Sequence, residues 1–141
     1  MFFGESTHKI DEKHRVLIPP KFRKGLKEGV VLTPGIERCI VAYPLPEWKK
    51  IATSLTSGSV TLSKLRRLNR AIFATASLVP IDGQGRVLLP TSLREYAEIV
   101  DEVIVAGANT YLEIWNPVHW EEEKASSQEQ AWQIIESLER R

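Results

Sequence analysis

Aspartate and arginine recur with the same spacing at two places in this chain: Asp11 and Arg15 in "IDEKHRVLIP", Asp82 and Arg86 in "IDGQGRVLLP". Laid over each other at a shift of 71, the stretches match at Ile10/Ile81, Asp11/Asp82, Arg15/Arg86, Val16/Val87, Leu17/Leu88 and Pro19/Pro90. An aspartate that opens a tight loop accepts hydrogen bonds from loop amides and sets the turn. Four positions later, arginine presents a planar fork of five donors. It either pairs across the loop with the aspartate, worth at most about 1 kcal/mol at a surface, or points outward to a partner. Duplication favours the second role, because two symmetry-related tips set two arginines side by side.

The neighbours suit that role. The first tip adds Lys9, Lys13 and His14 to Arg15; the second offers Gln84 and Arg86, with Gly83 and Gly85 letting a partner approach the backbone. Arginine forks on guanine edges, glutamine on adenine and lysines on phosphates are the chemistry of duplex DNA read by a β-ribbon. The candidate DNA-binding residues are therefore Lys9, Lys13, His14, Arg15, Gln84 and Arg86, with Asp11 and Asp82 holding the loops. One pair of arginines binds weakly, so useful affinity calls for many copies acting together.

Other chemistries find little support. His8, His14 and His119 are scattered and Cys39 is alone, which argues against zinc. "DGQG" opens a strand rather than a helix and lacks the remaining glycine or lysine of a phosphate loop. Cys39 is expected to be a core strand residue, "EEEK" a solvated helix face, and Trp48 and Trp120 packing anchors. No catalytic residues, metal or cofactor are assigned, no small-molecule substrate is evident, and the protein is not expected to be an enzyme.

The elements that carry the tips are duplicated too. "VVLTPGIERCIVAYPLPEW" (30–48) aligns with "EVIVAGANTYLEIWNPVHW" (102–120) at a shift of 72, so that Gly35 meets Gly107, Ile40 meets Leu112, Tyr43 meets Trp115 and Trp48 meets Trp120. Two units of about 45 residues share one order: hairpin, short polar segment, strand, turn, strand, helix. "THKI" and "RVLIP" flank "DEKH", and "SLVPI" and "RVLLP" flank "DGQG", as hairpins with tight loops. "KFRKGL" and "SLREYA" read as one or two helical turns, and Pro46 and Pro117 sit at helix starts. Between the units, 61–76 is a basic helix with Leu62, Leu65, Leu68 or Asn69, Ile72 and Phe73 near one face; the acidic tail carries Ala131, Ile134, Ile135 and Leu138 on a stripe. So short a β unit cannot bury its apolar face alone, and two units interleaved into one small barrel solve the problem. The expected class is α+β with a pseudo-twofold axis.

The chain has 141 residues and a net charge of +1, which hides an asymmetry. Residues 1–72 hold 14 Lys and Arg against 6 Asp and Glu, a balance of +8; residues 73–141 hold 5 against 12, a balance of −7. The asymmetry points to a polyanion partner for the first half, to pairing between opposite halves of neighbouring subunits, or to both; solvated faces of two surface helices are the plainer alternative. A single cysteine suits a reducing compartment, the "MFFGESTHKI" start is not a secretory signal, and no apolar run approaches a membrane span, so a cytoplasmic location is expected.

"MFFGESTHKIDEKHRVLIPPKFR", the second "IDGQGRVLLP" and "YPLPEW" resemble the MraZ family of bacterial transcriptional regulators over nearly the whole chain except the acidic tail. The resemblance implies a swapped-hairpin, double-split barrel related to AbrB-type DNA-binding domains, made from two copies: 1–60 as the first repeat, 61–76 as the connecting basic helix, 77–124 as the second repeat and 125–141 as the acidic tail. It implies a homo-oligomeric ring at the nucleoid that binds short direct repeats and represses the division and cell-wall gene cluster including its own gene, with Arg15 and Arg86 reading bases. The alternative is a swapped-hairpin scaffold that binds proteins and reads no DNA. One departure stands out: His14 replaces the glycine usual in the first motif, and a differently shaped first loop is expected from it.

Overall fold

The structure is a computed structural model that describes residues 1–58 and 61–139; the boundary drawn at residue 60 and the last two residues of the tail lie outside the described residues. The described residues form eight short strands: β1 (Glu5–Lys9), β2 (Arg15–Leu17), β3 (Val30–Pro34), β4 (Ile40–Pro44), β5 (Ser77–Val79), β6 (Arg86–Leu88), β7 (Glu102–Gly107) and β8 (Leu112–Trp115). Six of them form one antiparallel sheet in the order β1-β7-β8-β4-β3-β5, and β2 pairs with β6 in a separate ribbon.

The central strands are apolar without alternation because both faces are covered. Val30, Leu32, Ile40, Ala42, Val103, Val105, Leu112 and Ile114 face the main core with Val16 and Val87 of the ribbon. Cys39, Val41, Ile104, Ala106 and Trp115 form a second core on the opposite face, beneath Tyr43, Tyr111 and Trp120. Each fully buried aliphatic side chain contributes about 1.5–3 kcal/mol, so these two layers dominate the fold.

The expected hairpins at the tips are hairpins in connectivity but not in pairing. After its loop, β2 leaves β1 and pairs with β6 of the other unit, while β1 pairs with β7, Glu5 opposite Ala106 and Lys9 opposite Glu102. In return β5 pairs with β3, Val79 opposite Val30. Each unit thus completes the other's sheet, which covers edges that neither could cover alone. The sheet ends at β1 and β5 and is open; the ladders describe a sheet with a ribbon over its inner face rather than a closed barrel.

A pseudo-twofold axis shows in the registers. The ribbon centres on Val16 opposite Val87, and the β4–β8 ladder on Val41 opposite Glu113, both pairs of equivalent residues. The other ladders correct the alignment. Val31 lies opposite Tyr43 and Ile104 opposite Trp115, so β3 matches β7 at a shift of 73, and Pro34 rather than Gly35 is the counterpart of Gly107. The turn from β7 to β8 is one residue shorter than that from β3 to β4, which restores the shift of 72 in the following strands.

The helices are α1 (Pro20–Arg23), continued by a 3₁₀ turn at Lys24–Leu26, then α2 (Leu45–Thr56), α3 (Leu62–Leu68), α4 (Thr91–Tyr96) and α5 (Pro117–Glu139). Phe22 of α1 and Leu93 of α4 are buried at equivalent positions. Thr61 caps α3 by accepting a bond from the Lys64 amide, and a π-helical turn at Asn69–Phe73 follows. Leu65, Leu68, Ile72 and Phe73 are half-buried, but Leu62, the first residue of α3, is exposed. The acidic tail continues α5 without a break, across the boundary drawn at 124. Among the described residues no helix is long and apolar enough to cross a membrane.

Candidate nucleic-acid interface

Each tip is a loop closed by its own backbone. The Asp11 amide donates to the Arg15 carbonyl and the His14 amide to the Asp11 carbonyl, both at 3.0 Å. Asp82 with Arg86, and Gly85 with Asp82, repeat these bonds at 3.0 Å. Asp11 Oδ1 accepts from the Lys13 and Arg15 amides at 2.9 Å, and Asp82 Oδ1 accepts from the Gln84 and Arg86 amides at 2.9 Å. One carboxylate oxygen meeting two loop amides sets the reversal of the chain.

The fourth loop position needs a positive φ, 61° at His14 and 82° at Gly85. A differently shaped first loop is not what the structure contains: each bond named in one loop has its counterpart in the other. The left-handed conformation costs a side-chain-bearing residue about 1 kcal/mol, less than the aspartate's bonds together supply.

Pairing of β2 with β6 then brings the two loops to one place. Arg15 Nε lies 2.8 Å from Asp11 Oδ2, and Arg86 Nε lies 2.8 Å from Asp82 Oδ2. Each guanidinium also reaches the other loop: Arg15 Nη1 is 3.8 Å from Asp82 Oδ2, and Arg86 Nη1 is 4.0 Å from Asp11 Oδ2. Four side chains from two repeats alternate in charge and sum to zero. The Arg15 amide, followed by its guanidinium and the Lys13 amide, holds the Asp11 carboxyl below its ordinary value. The Arg86 amide, its guanidinium and the Gln84 amide do the same for Asp82. Both aspartates are thus anions at neutral pH, and the arginine side chains stay 26% and 29% exposed.

The structure therefore brings Asp11, Arg15, Asp82 and Arg86 together, with each arginine paired to its own loop's aspartate rather than turned outward as duplication led one to expect. Lys13, His14 and Gln84 stand exposed on the loops, and Lys9 stands exposed at the end of β1. The residue reading missed Arg23 and Arg94. Arg23 Nε donates to the Ile18 carbonyl at 2.9 Å and Arg94 Nε to the Leu89 carbonyl at 3.0 Å, tying the helix that follows each tip to the strand that leaves it. The signal was available, since these arginines also lie 71 residues apart.

Away from the tips the structural readings hold. Cys39 is buried beside Glu113, and burial pushes its thiol far above the ordinary value, which removes thiolate character. The ring of Trp48 packs against Tyr43 at 5.7 Å and Phe73 at 5.4 Å, and that of Trp120 against Trp115 at 5.9 Å.

Comparison with known proteins follows the same two-fold division. The family described as "MraZ protein, putative antitoxin-like" matches residues 1–71 and again residues 72–138. A protein of Dehalococcoides mccartyi named transcriptional regulator MraZ is 60% identical over 140 residues, covering 99% of both chains. Proteins of the same name from Acetivibrio thermocellus and Roseiflexus castenholzii are 41% and 42% identical, covering 98% and 86% of this chain and 96% and 85% of their own. With both repeats matched and relatives aligned along nearly their whole length, the chain belongs to the MraZ family.

Proposed function

We propose that this protein is a transcriptional regulator that binds duplex DNA through its paired tips. The observation that carries the reading is the meeting of two equivalent Asp-x-x-x-Arg loops across the β2–β6 ribbon. Each aspartate accepts from the Nε of its own arginine and lies 3.8 or 4.0 Å from Nη1 of the other, which fixes each fork and leaves its remaining Nη N–H groups for base edges. Arg15 and Arg86 read the bases, Gln84 adds a contact with donor and acceptor, and Lys9, Lys13 and His14 meet phosphates. The two repeats exchange strands about a shared core, as AbrB-like swapped-hairpin folds do, with one repeat on either side of the connecting helix. A ring of subunits sets many tips along short direct repeats at the nucleoid and represses the gene cluster for division and wall synthesis, its own gene included. Oppositely charged halves suit head-to-tail contacts in such a ring.

The test is titration of labelled duplex carrying the DNA upstream of its own reading frame, against a scrambled duplex, over a salt series. The parent is expected to prefer the upstream DNA and to lose affinity steeply with salt. Arg15→Ala and Arg86→Ala should each lose that preference, since a bidentate arginine–guanine contact contributes about 1–3 kcal/mol of discrimination. Variants that discriminate like the parent would remove the readout role. The neutrality of the Asp–Arg cluster favours a second reading, a scaffold that docks proteins at the tips; duplex binding without salt dependence, or none, would favour it.

A further inference from the structure

The cluster of two arginines and two aspartates has no net charge, so the field that draws a polyanion to the tips must come from its surroundings. Those surroundings are unequal. The first loop, Glu12-Lys13-His14, carries one lysine beside one glutamate, whereas the second, Gly83-Gln84-Gly85, carries no charged side chain at all. Instead the second loop faces a cleft of about 540 Å³ with Arg23, Lys24 and Lys27 on one wall and Asp82, Gly83 and Gly85 on the other. Lys24 and Lys27 are exposed, and Arg23 is held by its bond to the Ile18 carbonyl. The residues 71 positions further on are Arg94, Glu95 and Glu98. Arg94 keeps the role of Arg23, but the two lysines have become glutamates, and Glu98 is joined to His119 at 3.2 Å.

We infer that the Arg23–Lys24–Lys27 wall of this cleft is a phosphate-holding flank for duplex DNA, present beside the second tip and replaced by acidic residues on the equivalent helix. The inference rests on the DNA-binding reading of the tips and adds a backbone contact beside the second one. Lys9 and Lys13 serve phosphates at the first tip; the second has no lysine in its loop and takes its basic residues from the helical turns beside it. Lysines act on phosphates as point charges without regard to sequence, so the flank adds affinity and salt dependence without adding base preference.

The experiment compares Lys24→Ala/Lys27→Ala with Glu95→Ala/Glu98→Ala on the upstream and scrambled duplexes over a salt series, with thermal melts to show that both variants fold. Each lost phosphate contact flattens the logarithmic salt slope by about 0.9. The lysine variant is expected to lose roughly 2 in slope for each bound subunit, equally on both duplexes. The glutamate variant is expected to keep at least the parent's slope. An iron chelate on Lys27→Cys should then cut the bound DNA. A lysine variant with the parent's slope, loss of slope in both variants alike, or no cutting from Lys27→Cys would overturn the flank while leaving DNA binding intact. A parent that binds neither duplex would instead remove the underlying reading.

Discussion

The two tips share the same bonds and differ in almost everything else. In one, the left-handed position is His14; in the other it is Gly85. The difference teaches that the aspartate and its two amides dictate the loop, and glycine serves another purpose at the second tip. A Cβ at Gly85 would lie 2.2 Å from Arg23 Cζ, so the missing side chain makes room for a guanidinium. The first tip carries its own lysine beside Glu12, and the second borrows basic residues from the end of α1 and the turn that follows it. Duplicated backbones have been kept alike while their surroundings have diverged.

Exchanging the residues at the left-handed position breaks the comparison most severely. Gly85→His places a side chain against Arg23 at a positive φ and should destabilise the fold by about 2–3 kcal/mol in urea unfolding, from strain and the displaced Arg23 hydrogen bond. Adding Arg23→Ala should recover part of that loss, a coupling that a double-mutant cycle measures. Asp11→Ala with Asp82→Ala loosens both loops at once, and affinity for the upstream duplex should fall on the order of tenfold by titration.

Acid sharpens the same point. Both aspartates have lowered folded values, so their stabilisation is fully present above the ordinary aspartate value and is lost as pH falls through the lowered one. Urea midpoints of the parent should therefore drop more steeply below about pH 4 than those of Asp11→Asn/Asp82→Asn. The smallest effect belongs to His14→Gly. Relief of the positive φ, offset by glycine's greater chain entropy, should change stability by less than about 1 kcal/mol and leave duplex affinity within about twofold.

The tip loops were legible in the sequence because every bond that builds them falls within five residues. Asp-x-x-x-Arg, the two short helices after it and the proline-led helix starts all depend on neighbours along the chain. The hairpins were misread because a tight loop between two β-prone runs gives no sign that the second run will pair elsewhere. Residue matching placed Gly35 on Gly107, since like residues attract an alignment; the ladders place Pro34 there because alternation of core-facing side chains tolerates no slip. A helical period sets Leu62 near the face of Leu65, Ile72 and Phe73, but Leu62 opens α3 and stands exposed, and periodicity does not register where a helix end reaches beyond its packing.

Local chemistry written in the chain was enough to specify each fingertip: a carboxylate, two amides and an arginine within reach of one another. Whether the two fingertips meet was a long-range matter. It depended on β2 crossing to β6, which buries Val16 and Val87 and carries each arginine to within about 4 Å of the other repeat's aspartate. Burial of apolar surface shared between units 71 residues apart drives that exchange, and no short stretch of residues contains it.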